Sequence, residues 1–160
     1  MTRSDARQIA FQLAFSYSFN HYSADDICSF FFEKTYFETL KSECSLFEQE
    51  PPSSKQLDYV KSLLSLVIEH STEFDKKIES FSKGWPVKRI DRTARVILWC
   101  AICEIEYFDS IDPSVSINEA VIISKKYMEP RTVSFVNGIL GQYMANRSCN
   151  KSSDKGPNNE

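Results

Sequence analysis

Scarce turn residues are the feature that most constrains how this chain folds. Only four glycines and six prolines interrupt its 160 residues. Sheet proteins need frequent tight turns, and Gly and Pro are prominent among the residues that form them. The chain therefore favours long helices joined by few loops.

The spacing of the apolar residues also indicates helices. Leu57, Val60 and Leu64 begin a run with the i, i+3, i+4 pattern of an amphipathic helix, and a further helix is expected over residues 71–81. Residues 96–103 are apolar without interruption, which predicts a helix buried on all sides at the centre of the C-terminal half. That run is far shorter than the roughly 20 residues needed to cross a bilayer, so no membrane partner is expected.

Several signals mark the expected boundaries between helices. Pro51 and Pro52 predict a loop between two halves of the chain. Residues 116–119 read Ser-Ile-Asn-Glu, the form of a capping box that starts a helix, and Pro130 suits the first turn of the last helix. Residues 147–160 are rich in Ser, Asn and Lys, which predicts a disordered polar tail.

Residue types that carry catalysis are sparse in this sequence. The two histidines have no companions at the spacing of a metal site or a catalytic triad. Cys100 and Cys103 lie inside the most apolar helix, where two small side chains one turn apart are expected to pack together. No glycine-rich phosphate loop is present. We therefore expect no catalytic residue, no metal site and no cofactor, and we do not expect an enzyme.

The cysteines and the N-terminus indicate a cytoplasmic location. Five scattered cysteines, an odd number, do not form a disulfide framework and fit a reducing compartment. The N-terminus carries Arg3, Asp5 and Arg7, unlike a signal peptide.

The charge is unevenly distributed along the chain. The net charge is −3, yet residues 61–100 hold eight basic against five acidic side chains. A local basic surface that binds a polyanion is therefore compatible with the negative net charge.

Basic residues concentrate in the segment that follows residue 81. They face a single acid, Asp91, and comprise Lys83, Lys88, Arg89, Arg92 and Arg95. With Phe81 and Trp85 among them, such a surface can neutralise phosphates and stack on bases. The alternative is a solvated helix–loop boundary with Trp85 in the core. From the residues alone we favour that alternative, because charge runs are usually solvated faces.

Three ordered strings in the C-terminal half resemble a signature of the NusB family of transcription antitermination factors. They are INEA at residues 117–120, SKKY at 124–127 and FVNGIL at 135–140. Upstream, the segment from Trp85 to Ile105 is similar to a second family motif, and residues 6–16 resemble the family's first helix. The resemblance covers about residues 3–145.

The resemblance implies a fold and a function. The fold is all-α, about seven helices in two small packed bundles. We expect one domain over residues 1–146, with sub-bundles at about 1–50 and 54–146, before the tail. The implied function is binding of boxA RNA together with NusE, a ribosomal protein that doubles as a transcription factor. The complex joins RNA polymerase and makes it resist termination. Family members resemble both monomers and dimers, so a homodimer stays open.

The resemblance also implies RNA-binding residues. Arg3 and Arg7 match the basic face of the first helix, and Phe81 matches an aromatic residue implicated in RNA contact. Phe135 either stacks on a base or packs beside Ile139 in the core. The other predicted contacts, which add positive charge for phosphates, are Lys83, Arg95 and Arg131.

Departures from the family pattern keep a second interpretation open. Asp5 interrupts the basic run of the first helix, Ala94 and Trp99 replace charged family residues, and Arg131 stands where the family carries an acid. Fewer arginines predict weak RNA binding by the protein alone and a strong dependence on NusE. The alternative is a protein-only helical adaptor in the same complex. A third candidate, a NusB-like domain attached to an RNA methyltransferase, is disfavoured because a catalytic domain needs much more chain.

Overall fold

The computed structural model describes residues 1–33 and 52–153, and this part of the chain is helical throughout, without a strand. A single-turn 3₁₀ helix at Val87–Arg89 accompanies six α-helices. The α-helices are α1 Arg3–Asn20, α2 Ala24–Phe31, α3 Ser54–Phe81, α4 Arg92–Tyr107, α5 Pro113–Tyr127 and α6 Pro130–Ser153. The all-α prediction is confirmed.

Side-chain caps fix where the helices begin. The Thr2 hydroxyl accepts from the Asp5 N–H at 3.1 Å, while the Asp5 carboxylate accepts from the Thr2 N–H at 2.7 Å. Ser53 and Gln56 form the same reciprocal pair at the start of α3. These caps satisfy N–H groups that have no partner within the helix. Pro130 begins α6, as predicted.

The helix over residues 54–81 is continuous, whereas the sequence suggested two helices. Neither Gly nor Pro occurs between Pro52 and Gly84. The buried stripe also continues past residue 71 through Phe74 and Ile78. Nothing therefore interrupts the backbone hydrogen bonds, and α3 extends over 28 residues.

The capping box predicted at residues 116–119 is wrong. Helix α5 begins one turn earlier, where the Asp112 side chain accepts from the Ser114 N–H at 2.8 Å. Asp112 at the N-cap followed by Pro113 at the first helical position is a stronger start signal than the capping-box pattern at residues 116–119. Ser116 is instead buried, and its hydroxyl donates to Glu104.

Helix α4 lies at the centre of the described residues, as its apolar run predicts. It contacts α1, α3, α5 and α6, and ten of its 16 residues are buried. Buried apolar side chains of the other five α-helices join its own to form a continuous hydrophobic core. The core positions the other helices around α4 and leaves the ends of α3 and α6 at the surface.

Of two boundaries expected from the sequence, one stays a prediction and the other lies elsewhere in the structure. Helix α1 packs on α3, α4 and α5 as well as on α2. The division into sub-bundles stays a prediction, since residues 34–51 lie outside the described residues. Helix α6 continues through residues 147–153, which the sequence assigned to the tail. Each added residue of a formed helix gains a backbone hydrogen bond, which a polar composition does not prevent. The remaining tail residues lie outside the described range.

Candidate nucleic-acid interface

A groove of about 270 Å³ runs between the end of α3 and the first half of α6. It brings together three of the seven predicted RNA-binding residues: Phe81, Lys83 and Phe135. Its other lining residues are Ser82, Trp85, Gly138, Ile139 and Gln142. The groove therefore combines three aromatic rings, a cation and an amide.

A tight turn after α3 forms one wall of this groove. Lys83 and Gly84 both have positive φ, at 50° and 87°, which ends the helix and reverses the chain. A lysine in this left-handed region is strained, because its Cβ crowds the backbone. The Trp85 N–H donates to the Ser82 carbonyl at 3.2 Å. The turn leaves the Lys83 side chain exposed and Trp85 58% exposed.

Two polar side chains hold the turn in place. The buried Ser82 hydroxyl lies 2.6 Å from the Trp85 carbonyl, and the Glu79 carboxylate accepts from the Val87 N–H at 2.8 Å. Both bonds connect the last turn of α3 with the residues that follow Gly84. They fix the direction in which Lys83 and Trp85 leave the backbone.

The floor of the groove is apolar, and at Gly138 helix α6 contributes no side chain to it. Phe81 and Phe135 are half-buried and pack against the core. Phe81 meets the ring of Tyr143 edge-on at 6.4 Å. At Gly138 an added Cβ would meet nothing within 4 Å. Phe135 thus packs against the core and also lines the groove, and its stacking on a base stays a prediction.

This arrangement suits a flexible, unstacked nucleic acid strand. Every base has a flat face that stacks on an aromatic ring, and a nearby cation offsets the phosphate charge. Here Phe81, Trp85 and Phe135 supply the rings, and Lys83 supplies the charge. The amide of Gln142 can both donate and accept, as base and ribose edges require.

Arg3 and Arg131 are exposed cations that do not line this groove. Arg3 is the first residue of α1, and Arg131 lies in the first turn of α6. The N-terminus of α6 adds a partial positive charge that favours phosphate, whereas the Asp5 carboxylate already occupies the N-terminus of α1.

Arg7 lies inside the protein, unlike the surface cation that was expected. It is 9% exposed, and its Nε donates to Glu104 Oε1 at 2.8 Å. The Tyr59 hydroxyl donates to the same carboxylate oxygen at 2.7 Å, and Ser116 donates to the other oxygen. Burial alone would lower the pKa of Arg7, but the charge of Glu104 offsets this and raises it. Arg7 therefore joins α1 to the centre of the fold.

Arg95 is also engaged within the protein. Its guanidinium donates from two nitrogens to both oxygens of Asp75, with Nε at 2.8 Å, and lies over the Trp99 ring at 4.9 Å. The Trp99 indole N–H donates to Asp75 as well, at 2.7 Å. This geometry joins α4 to α3 and pairs the Arg95 guanidinium with a carboxylate of the protein itself.

The strings that carried the resemblance contain contacts between α1 and α5. The Ser4 hydroxyl donates to the Glu119 carboxylate at 2.6 Å, and the Lys126 ammonium donates to the side-chain amide oxygen of Gln8 at 2.6 Å. The Gln8 amide in turn donates to the Tyr127 hydroxyl at 3.0 Å. Glu119, Lys126 and Tyr127 thus join α5 to the first helix.

Sequence reasoning underestimated Trp85 and missed Gln142. The favoured expectation placed Trp85 in the core, whereas most of its surface is exposed. The signal was the Gly84-Trp85-Pro86 sequence, because Trp85 stands between a glycine and a proline and leaves the helix. Gln142 lies two turns after Phe135 on the same face of α6, a spacing that periodicity alone reveals.

The Cys100–Cys103 pair packs inside α4, as expected. Burial raises the pKa of the Cys100 thiol to about 12 and also raises that of Cys103.

Within residues 1–33 and 52–153, no group of three or more His, Cys, Asp or Glu side chains is placed to hold a metal ion. None of the described helices has the length and hydropathy needed to cross a bilayer.

Fold and groove together define a class: a small helical domain that presents aromatic rings and a cation on one surface. The sequence model of the NusB family matches residues 4–145, so this chain belongs to the NusB family. The match includes α1 and the first two-thirds of α6.

Curated relatives agree with this assignment. The chain is 31% identical over 144 residues to the transcription antitermination protein NusB of Thermoanaerobacter sp. strain X514, covering 90% of this chain and 91% of that protein. It is 32% identical to NusB of Oceanobacillus iheyensis, covering 91% of this chain and 100% of the relative.

Solved structures share the fold. NusB of T. maritima superposes with a TM-score of 0.72 at 22% identity, covering 89% of each chain. A chain in the crystal structure of antitermination factors NusB and NusE with double-stranded RNA gives a TM-score of 0.66 at 21% identity, covering 88% of this chain and 93% of that one. At such identities the likeness supports the fold.

Proposed function

We propose that this protein is a transcription antitermination factor that binds boxA RNA together with NusE, and that the groove between α3 and α6 receives the RNA. The observation that carries the proposal is the convergence of Phe81, Lys83 and Phe135 on one surface. These residues lie 54 positions apart in sequence at most, and folding brings them together. The curated relatives support the process, since they are transcription antitermination proteins.

Each groove residue has a distinct role in this proposal. Phe135 and Phe81 stack on unpaired bases, and Trp85 covers a base from the turn. Lys83 neutralises a phosphate beside them. Arg131 binds a further phosphate, because it lies at the positive end of α6. Arg3 makes the same kind of contact at the start of α1.

The partner in RNA binding is NusE. A structural neighbour is known with NusE and double-stranded RNA, which supports a shared surface in this protein as well. Arg7 and Arg95 are held in internal ion pairs, so three of the predicted cations remain for phosphates. Each lost phosphate contact weakens binding and lowers its salt dependence. NusE therefore supplies a large share of the RNA affinity, and through it the protein joins RNA polymerase in the cytoplasm.

A second candidate, the protein-only adaptor, is favoured by the same internal pairing of Arg7 and Arg95. A homodimer of the protein alone stays a further prediction. Fluorescent boxA-like RNA and a scrambled RNA, titrated with and without NusE across a salt series, separate the candidates. Selective binding that NusE strengthens and salt weakens supports the RNA-binding factor. Binding of NusE without selectivity between the two RNAs supports the adaptor and contradicts the RNA proposal.

A further inference from the structure

We infer that the last turns of α6 form a second groove that binds the RNA backbone next to the aromatic groove, an inference that rests on the proposed function. This backbone groove has a volume of about 440 Å³. Its lining residues are Lys77, Ser80, Phe81, Glu106, Tyr143, Asn146, Arg147, Asn150 and Lys151. Phe81 lines both grooves, so a strand leaving the aromatic groove passes directly into the second.

The charge of the backbone groove matches a polyanion. Three cations, Lys77, Arg147 and Lys151, line it against one carboxylate, Glu106. That carboxylate already accepts from Lys77 and from the Tyr143 hydroxyl. Lys77 is also paired with Glu73, so two carboxylates share its charge and it offers little to an incoming phosphate. Arg147 and Lys151 supply the positive charge that is available to a phosphate.

The residue types indicate backbone recognition and not base stacking. Apart from Phe81 at the junction and Tyr143, whose hydroxyl is held by Glu106, the groove has no aromatic side chain. Asn146, Asn150 and Ser80 offer neutral donors and acceptors, which suit ribose hydroxyls and phosphate oxygens. An acidic protein segment would match the charge too. Continuity with the aromatic groove through Phe81 favours RNA.

This groove depends on residues outside the family's shared region. The family match ends at residue 145, while α6 continues to Ser153. Asn146, Arg147, Asn150 and Lys151 all lie in that continuation, one to six residues beyond the match. The extension therefore adds positive charge to a protein in which Asp5 interrupts the basic run of the first helix and Arg7 is buried.

The test compares two boxA-like RNAs with the full chain and NusE present. One RNA covers the boxA-like core, and the other adds several nucleotides on each side. The variants are Arg147→Gln/Lys151→Gln and Lys151→Gln alone, since Arg147 also interacts with Tyr143 and Lys151 is exposed. A matched control, Lys55→Gln/Lys61→Gln, removes the same charge from exposed positions at the far end of α3.

We expect the longer RNA to bind the parent chain more tightly than the core RNA. The double variant should lose that gain, and the slope of log K against log salt should fall by about 1.4, at about 0.7 for each single-stranded phosphate contact. Lys151→Gln should lose about half of this, and the control should lose none. Core RNA should bind all variants alike.

The outcomes separate this inference from the proposed function. A length gain that survives in the double variant overturns the backbone groove and leaves the aromatic groove in place. Loss of NusE binding in the double variant, with an unchanged RNA length effect, assigns the groove to a protein partner and also overturns it. No selective binding of the core RNA by the parent chain contradicts the proposed function itself.

Discussion

The Arg7 guanidinium donates to the Glu104 carboxylate at 2.8 Å, and both side chains are buried where α1 crosses α4. Tyr59 of α3 and Ser116 of α5 donate to the same carboxylate. One buried charge thus receives hydrogen bonds from three neighbouring helices. An arginine that resembles an RNA contact in the sequence is in the structure part of the framework that holds the first helix.

Arg7→Ala should destabilise the protein by about 3–5 kcal/mol, because it leaves Glu104 charged, buried and without its cation. Urea denaturation measures the change in the free energy of unfolding. Arg3→Ala is the matched control, since Arg3 is exposed on the same helix and its removal should change stability by no more than about 0.5 kcal/mol. Comparable losses for the two variants would contradict the framework role of Arg7.

Arg95→Ala should destabilise the protein without changing the RNA affinity of the folded protein. The guanidinium is partly exposed, so the expected loss is about 1–3 kcal/mol, within the range for a hydrogen-bonded charged partner. Adding Asp75→Ala should recover part of the loss, because the unpaired carboxylate is then gone. A drop in RNA affinity with unchanged stability would return Arg95 to the RNA-binding surface.

Lys83→Gly should separate stability from RNA binding. Glycine adopts the positive φ of this position without strain, so the variant should be as stable as the parent or more stable by up to about 1 kcal/mol. The lost cation should lower RNA affinity and flatten its salt dependence. Thermal unfolding and RNA titration of the same preparation measure both. Unchanged RNA affinity would remove Lys83 from the proposed site.

The buried cysteines should resist alkylation in the native protein. At pH 8 the Cys100 thiol, with a pKa of about 12, stays protonated, and Cys28 and Cys103 are buried. The thiolate is the reactive form, so iodoacetamide should modify exposed Cys149 and spare these three. Peptide mass spectrometry identifies the modified positions, with the unfolded protein as the reference. Rapid native modification of Cys103 would show that α4 is less buried than described.

Sequence patterns predicted the helices well because helix periodicity is local. The apolar run at residues 96–103 identified the central helix, and Pro130 identified the start of the last one. The capping box at residues 116–119 failed because Ser116 has a more distant partner: its hydroxyl reaches Glu104, in the preceding helix. The stronger local signal, Asp112 followed by Pro113, starts the helix one turn earlier and places Ser116 within it, where its hydroxyl makes this tertiary contact.

The site was predicted in part, for a related reason. Phe81, Lys83 and Phe135 were identified individually, but their common groove depends on how α3 and α6 pack. Arg7 and Glu104 are 97 positions apart, so no local pattern indicates that this arginine is buried. Trp85 is exposed because of a left-handed turn at Lys83, a residue type that rarely adopts it.

A single substitution can fill the aromatic groove without harming the fold. In Gly138→Leu the new side chain starts from open space, and leucine favours helix over glycine, so stability should be kept or raised. Binding of boxA-like RNA with NusE present is measured for the parent chain, Gly138→Leu and Phe135→Ala. Tyr22→Ala, an exposed aromatic residue between α1 and α2, is the control.

We predict that both groove variants lose RNA affinity by about tenfold or more, since base–aromatic stacking is worth about 1–3 kcal/mol per base. Binding of NusE should be unchanged, and Tyr22→Ala should match the parent chain. Parent-like RNA affinity in a folded Gly138→Leu variant would contradict RNA binding in the aromatic groove, because RNA would then bind elsewhere or through NusE alone.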